Sequence, residues 1–158
     1  MEKAKSKGQV ATEFLLYSGV FLFVVIAAFS VVSVIQKTEV GRHESQLSKE
    51  VGGTFADGLK LAAEGGEGFN YSMTFPKYLI GTPYTIDFSR SQEGLLIMEW
   101  DGSYSTISHA YTVPLADYEF YECFQKDGQR VTLVSDDSCE NDLSMYNNGD
   151  TVRITRRE

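Results

Sequence analysis

An uninterrupted apolar segment near the N-terminus constrains this chain more than any other feature. Residues Phe14 to Ile35 contain no charged side chain. As a helix, about 22 residues span roughly 33 Å, which is enough to cross the hydrocarbon layer of a bilayer. Apolar residues occupy every face of that helix instead of one stripe, which is typical of a helix surrounded by lipid or by other apolar helices. We therefore predict a transmembrane or bundle-forming helix over residues 9–36. One globular domain follows, because 158 residues accommodate a single domain of ordinary size.

The residues before this segment differ from those of an ordinary secretory signal. Three lysines precede Gly8, and a carboxylate follows at Glu13. A conventional signal is cleaved after its apolar core, at small residues. The sequence from Ala27 to Ser30 offers a weak match, but cleavage there would leave the apolar residues up to Ile35 as the new N-terminus. Lysines beside an apolar segment tend to stay in the cytoplasm, so the rest of the chain is predicted to lie outside the membrane.

Lys7-Gly8-Gln9, followed by Glu13 and the apolar segment, resembles the class III signal peptide of archaeal type IV pilins. The resemblance implies that a membrane-embedded prepilin peptidase cuts between Gly8 and Gln9 and removes the basic cytoplasmic leader, residues 1–8. Glu13 then becomes the fifth residue of the mature chain, where type IV pilins carry a glutamate. There it would accept a charge-assisted contact from the Gln9 amino terminus of a neighbouring subunit. Archaellins usually lack this glutamate, so the resemblance favours a pilus.

The resemblance implies the function of a structural subunit. The precursor would lie in the cell membrane, and the mature chain would form a homo-oligomeric helical filament on the cell surface. Other pilins could also assemble into that filament. The alternative is a minor pilin or a single-pass membrane-anchored module for extracellular binding or adhesion. In a plain anchor, Glu13 would simply lie among the lipid headgroups.

Charge and motifs exclude other classes of function. The net charge is −8, and removal of the leader, with three lysines and one glutamate, brings it to about −10. A nucleic-acid-binding surface needs clustered lysine and arginine, so nucleic acid is not predicted as a partner. The sequence contains no Gly-rich phosphate loop, no nucleophile elbow and no metal-binding histidine pair. We predict no catalytic residues and no cofactor.

An amphipathic continuation of the helix is predicted over residues 37–64. Apolar residues recur there at helical spacing: Val40, Leu47, Val51, Phe55, Leu59 and Ala62. Gly52 and Gly53 weaken a helix, so we predict a bend or a locally melted turn at that point. The glycine-rich stretch from Glu64 to Gly68 then ends the helix.

The apolar period changes to two after Gly68, which predicts an extracellular β-rich head over residues 69–158. About six or seven strands are expected, mostly antiparallel, at residues 69–75, 84–89, 94–100, 105–113, 117–125, 129–135 and 151–156. Turns at Asp101-Gly102 and Asp127-Gly128 join neighbouring strands into hairpins, the second between 117–125 and 129–135. The predicted fold is α+β, with the long N-terminal hydrophobic helix, a pilin-like spine, packed into a C-terminal antiparallel sheet.

Cys123 and Cys139 are the only cysteines. In an oxidising compartment, the two are predicted to form one disulfide. Closing a loop of about 15 residues would stabilise the fold by about 3 kcal/mol by the chain-entropy argument. Two free thiols remain the alternative if the cell surface is strongly reducing.

Two further groups of polar residues are candidate sites. The acidic residues Asp136, Asp137, Glu140 and Asp142 offer oxygen ligands of the kind that calcium prefers. Their spacing does not match an EF-hand loop, and a solvated loop is the simpler interpretation, so no metal site is predicted. Asn70-Tyr71-Ser72 is an N-glycosylation sequon. Strand alternation places Asn70 on the solvent side, which makes it a candidate for glycosylation.

Overall fold

The computed structural model describes residues 2–156, with side chains from residue 9 onward. The side chains of the predicted leader, residues 1–8, are therefore not described. The predicted processing junction is described on its Gln9 side only. One helix, α1, runs from Glu2 to Glu64. The boundary between two compact units falls within this helix, between Val40 and Gly41. The second unit contains the rest of α1 and the strands, and it confirms the predicted α+β fold.

Nine strands form two sheets in the described part of the chain. The bounds are β1 Asn70–Thr74, β2 Tyr84–Asp87, β3 Leu95–Asp101, β4 Thr106–Thr112, β5 Asp117–Tyr121, β6 Gln125–Asp127, β7 Arg130–Val134, β8 Asp142–Asn147 and β9 Thr151–Arg156. The four-stranded sheet has the order β1-β8-β9-β5, and the five-stranded sheet has the order β4-β3-β2-β7-β6. All strand pairs are antiparallel except β5 with β9.

The prediction of a single hairpin over residues 117–135 was wrong. Glu122 and Cys123 adopt positive φ angles of 53° and 51°, a left-handed conformation that is uncommon for residues other than glycine and lies outside the extended region of a strand. The chain therefore leaves the four-stranded sheet after β5 and enters the five-stranded sheet as β6. Only β6 pairs with β7 across the Asp127-Gly128 turn.

The region after Cys139 contains a strand, β8, that was not predicted. Its core-facing residues are Leu143 and Met145, both fully buried, and they alternate with Asp142, Ser144 and Tyr146. This is the period of two that marks a strand. The acidic run before it and the Asn-Gly turn after it obscured the pattern.

The amphipathic stripe of α1 packs against both sheets from Leu47 to Ala62, which confirms the predicted burial of that face except at Val40, which is 39% exposed. Phe55, Leu59 and Ala62 are all 0% exposed. The Phe55 ring lies 5.2 Å from that of Phe75 and 6.5 Å from that of Tyr84 in β2. Removing such a side chain from water contributes about 1.5–3 kcal/mol. The helix and the two sheets therefore share one hydrophobic core.

The alternative of a locally melted turn at Gly52-Gly53 was also wrong, because α1 continues through both glycines. A Cβ atom at Gly52 would lie 2.5 Å from the Tyr111 ring, whereas a Cβ atom at Gly53 would meet nothing within 4 Å. The Tyr111 hydroxyl donates to the Lys49 carbonyl at 2.9 Å. Gly52 thus lets an aromatic ring from β4 reach the helix backbone, and that contact supports the helix where glycine weakens it.

The end of α1 is capped from β8. Asn147, which is buried, donates from Nδ2 to the carbonyl oxygens of Ala62 at 2.9 Å and Ala63 at 3.2 Å. The last carbonyls of a helix have no partner within it. The Asn147 side chain, from near the other end of the sequence, supplies that partner here. The predicted turn that follows is present, with Asn148 Oδ1 accepting from the Thr151 amide at 2.7 Å.

Candidate assembly site on the N-terminal helix

The apolar segment of α1 is uncovered over its whole circumference. Every large apolar side chain from Val10 to Ile35 is exposed, from 46% at Val25 to 74% at Phe29. Because each such side chain contributes about 1.5–3 kcal/mol when it leaves water, an aqueous environment for this surface is strongly unfavourable. The segment therefore needs lipid or other apolar chains around it.

Within the described part of the chain, one helix is long and apolar enough to cross a membrane, and none of its apolar segment is buried. A core helix of a soluble domain would be covered by its own chain, so that explanation does not fit this segment. Its place near the N-terminus is compatible with a membrane anchor or with a signal sequence.

Gln9 and Glu13, the residues that the sequence singles out for assembly, contact each other. The Gln9 Nε2 atom donates to the Glu13 Oε1 atom at 3.3 Å, across one turn of α1, and both side chains are exposed. Helical side chains lean toward the N-terminus, so the carboxylate reaches the Gln9 side chain, on the residue that would follow the predicted cut. A negative charge at the edge of an apolar segment is costly in lipid unless it stays at the interface or finds a cationic partner.

Cys123 and Cys139 are joined, as predicted, with their Cα atoms 6.3 Å apart. The bond connects the segment between β5 and β6 to the loop between β7 and β8. Phe88, Phe120 and Phe124 form an aromatic cluster on the same part of the head, with ring centroids 5.0–5.8 Å apart. Disulfides persist in oxidising compartments, so this bond suggests an extracellular location for the head.

The acidic residues considered for calcium do not form a site. Among the described residues, no three His, Cys, Asp or Glu side chains lie close enough together to hold a metal ion. Asp137 instead pairs with Arg156 Nη1 at 2.6 Å, and Asp142 accepts from Thr74 Oγ1 at 2.6 Å. Asp136 and Glu140 are exposed in the loop. The calcium candidate is therefore withdrawn, because its carboxylates serve different contacts.

Two buried charged residues were missed by sequence reasoning. Glu44 of α1 is only 2% exposed, and its carboxylate accepts from the amide of Ser103 at 3.1 Å and also from the Ser103 hydroxyl. Arg156 of β9 is fully buried. Its guanidinium donates to the carbonyls of Val134 at 3.0 Å and Glu140 at 2.8 Å. Nothing local in the sequence distinguishes either residue from an exposed charge, since the partners lie in loops and a strand that are distant in the sequence.

Burial also changes the acidity of three tyrosines. It raises the pKa of Tyr84 above its usual range, although the Arg156 guanidinium opposes that effect. It raises the pKa of Tyr111 to about 12 and that of Tyr118 to about 12. Each hydroxyl donates to a backbone carbonyl: Tyr84 to Pro76 at 2.8 Å, Tyr111 to Lys49 at 2.9 Å and Tyr118 to Pro114 at 2.8 Å. These hydroxyls are structural donors in the head.

The chain was compared with protein-family models, with curated proteins and with solved structures, and none of them matches it.

Proposed function

We propose that this chain is a structural subunit of an archaeal type IV pilus-like filament, cut before Gln9 by a prepilin peptidase and assembled through its N-terminal helix. The observation that supports the proposal most directly is the uncovered apolar surface of α1, which begins immediately after Glu13. The head, stabilised by a disulfide, would form the outer surface of the filament.

An apolar surface exposed on all sides suits two successive environments. In the precursor, lipid would surround the segment from Phe14 to Ile35. In the filament, neighbouring copies of the same helix would replace the lipid, because packing between small and large side chains compensates for the lost lipid contacts. A helix that contacted only one partner would need only one apolar stripe.

Glu13 would set the register of this assembly. Its carboxylate already lies against Gln9 of its own chain at 3.3 Å. After cleavage, Gln9 also carries the α-amino group, so a neighbouring subunit can present a cation to Glu13. Pairing the two charges would lower the cost of moving the carboxylate out of water.

Cleavage is tested by the intact mass of the chain after coexpression with an archaeal prepilin peptidase. We expect a mature chain that begins at Gln9. Gly8→Val should block the cut, because the peptidase must accommodate the residue before the bond. Gly19→Val is the matched control, since a Cβ atom there meets nothing within 4 Å, and it should be cut normally. A wild-type chain that still starts at Met1 would contradict the proposal.

Assembly is tested by the yield of filaments sheared from cells. Glu13→Gln keeps the side-chain shape and removes the charge, and we expect a loss of yield of about tenfold, the factor that corresponds to about 1.4 kcal/mol. Glu50→Gln, an exposed glutamate farther along α1, is the control and should assemble normally. Equal yields would rule out a role for the charge. A processed wild-type chain that stays wholly with the cells would favour the alternative, a minor pilin or a membrane-anchored binding module.

A further inference from the structure

The outer face of the four-stranded sheet is polar and accessible. One face of β1, β8, β9 and β5 supplies core residues such as Met73, Met145 and Ile154. The opposite face carries side chains that are exposed or half-exposed in all four strands. It therefore forms a continuous surface across the sheet.

One row of this surface starts at the sequon. Asn70 lies directly across from Tyr146, Tyr146 from Arg153, and Arg153 from Glu119. Tyr146 is 42% exposed. Side chains directly opposite each other in neighbouring antiparallel strands have Cβ atoms about 4.5–5.5 Å apart, so the Tyr146 ring is within reach of a group attached to Asn70.

The next row consists of hydroxyl groups. Ser72 lies across from Ser144, and Ser144 lies across from Thr155. These three residues line a cavity of about 470 Å³ together with Thr74 and Asp142. Its volume falls within the range of about 300–1,000 Å³ that is typical of small-ligand sites.

The one basic side chain in these rows, Arg153, is paired with a carboxylate of the same face. Arg153 Nε lies 3.4 Å from Glu119 Oε2, and its guanidinium stacks over the Tyr121 ring at 5.9 Å. Asp142 accepts the Thr74 hydroxyl. The groups left for a ligand are an aromatic ring, neutral hydroxyls and the Asp142 carboxylate, which can accept hydroxyl protons, and such a set suits a neutral polyhydroxylated ligand.

Asn70 is placed to deliver such a ligand covalently. It is exposed on β1, at the edge of the sheet. Its Oδ1 accepts from the Ser144 hydroxyl at 3.4 Å, and its Nδ2 is the atom that an N-linked sugar modifies. We propose that Asn70 carries an N-linked glycan whose first sugars lie across this face, stacked on Tyr146 and hydrogen-bonded to Ser72, Ser144 and Thr155.

The modification is a simple group transfer. The Asn70 Nδ2 atom loses one proton and bonds to the anomeric carbon of a lipid-phosphate-linked oligosaccharide. The bond between that carbon and the phosphate oxygen breaks, and the lipid phosphate leaves with the electron pair. No oxidant or reductant takes part. The proposal needs the head to be outside the membrane and does not depend on filament assembly.

The modification itself is tested by the mass of the head tryptic peptides from full-length chain isolated from its own cells. We expect added sugar mass at Asn70 in the wild type and in Ser72→Thr, which keeps the sequon. Asn70→Gln and Ser72→Ala should lack it. An unmodified Asn70 in the wild type would overturn the proposal.

The seating of the glycan is tested by a thermal unfolding cycle on the purified full-length chain. The difference in Tm between the glycosylated chain and Asn70→Gln gives the effect of the glycan, expected to be a rise of about 4 °C. The rise should disappear in a Tyr146→Ala background. It should persist in a Tyr78→Ala background, where the lost tyrosine is also exposed but lies on the segment between β1 and β2. An equal rise in all three backgrounds would show a glycan that does not use this face, and would refute the proposed seat.

Discussion

Two adjacent glycines in α1 should respond in opposite ways to the same substitution. Alanine at either position improves helix propensity by about 1 kcal/mol. At Gly53 a methyl group meets nothing within 4 Å, so we expect Gly53→Ala to stabilise the head by about that amount. At Gly52 the methyl group would lie 2.5 Å from the Tyr111 ring, and the ring must move.

The cost at Gly52 follows from what Tyr111 would lose. Its hydroxyl donates to the Lys49 carbonyl at 2.9 Å, with a second carbonyl, that of Ser48, at 3.4 Å. Losing a neutral hydrogen bond costs about 1 kcal/mol, and overpacking costs about 1–3 kcal/mol. After subtraction of the propensity gain, Gly52→Ala should destabilise the head by about 1–3 kcal/mol. The two variants should differ by about 2–4 kcal/mol.

The assay is thermal unfolding of the full-length chain in detergent, followed by circular dichroism. A change of 1 kcal/mol shifts Tm by about 4 °C in a domain of this size, so the two variants should be resolved easily. In a Tyr111→Ala background, Gly52→Ala should become stabilising, because the obstructing ring is absent. If Gly52→Ala and Gly53→Ala stabilise equally in the wild-type background, the proposed role of the close contact is incorrect.

Three further outcomes are expected from the same unfolding assay. Glu44→Ala should destabilise the head by about 1.5–3 kcal/mol, because charged hydrogen bonds to the Ser103 amide and hydroxyl are lost. A change within about 0.5 kcal/mol would show that this contact is dispensable. Reduction of the disulfide should cost about 3 kcal/mol for a separation of 16 residues, and an unchanged Tm in reductant would contradict this. Stability should fall as the pH rises from about 10 to about 12. Folding raises the pKa of Tyr111 and of Tyr118 to about 12, so the unfolded chain loses the two hydroxyl protons at a lower pH than the folded chain does. Replacing both with phenylalanine should reduce this loss of stability and leave the part that Tyr84 contributes, since burial also raises the pKa of Tyr84.

The parts of the fold that sequence reasoning predicted correctly depend on local patterns. The stripe of α1 is visible in the spacing of Leu47, Phe55 and Leu59. Strands β2 and β4 follow from alternation, and β3 follows from a continuous apolar run before the turn at Asp101-Gly102. These patterns are periodic, and each element buries the face that its own sequence marks as apolar.

The errors arose where a distant residue supplies what the local sequence lacks. The glycine pair does not interrupt α1, and Tyr111, from a strand distant in the sequence, lies against Gly52 and donates to the Lys49 carbonyl. The positive φ angle at Cys123 has no propensity signal, since neither it nor Glu122 is a residue that favours this conformation. At the candidate assembly site, Gln9 and Glu13 were found from a motif. The contact between them follows from helical spacing alone.

The position of β9 has a consequence for the order in which this protein is made. β9 is the last of the nine described strands in the sequence, yet it lies between β8 and β5 in the interior of its sheet. Its residues Val152 and Ile154 are almost completely buried. A ribosome therefore releases the apolar segment of α1 long before it releases the strand that completes the head. During translation, the apolar segment is therefore complete while the head is still unfolded, and a nascent chain stalled before Thr151 should remain sensitive to protease throughout the head.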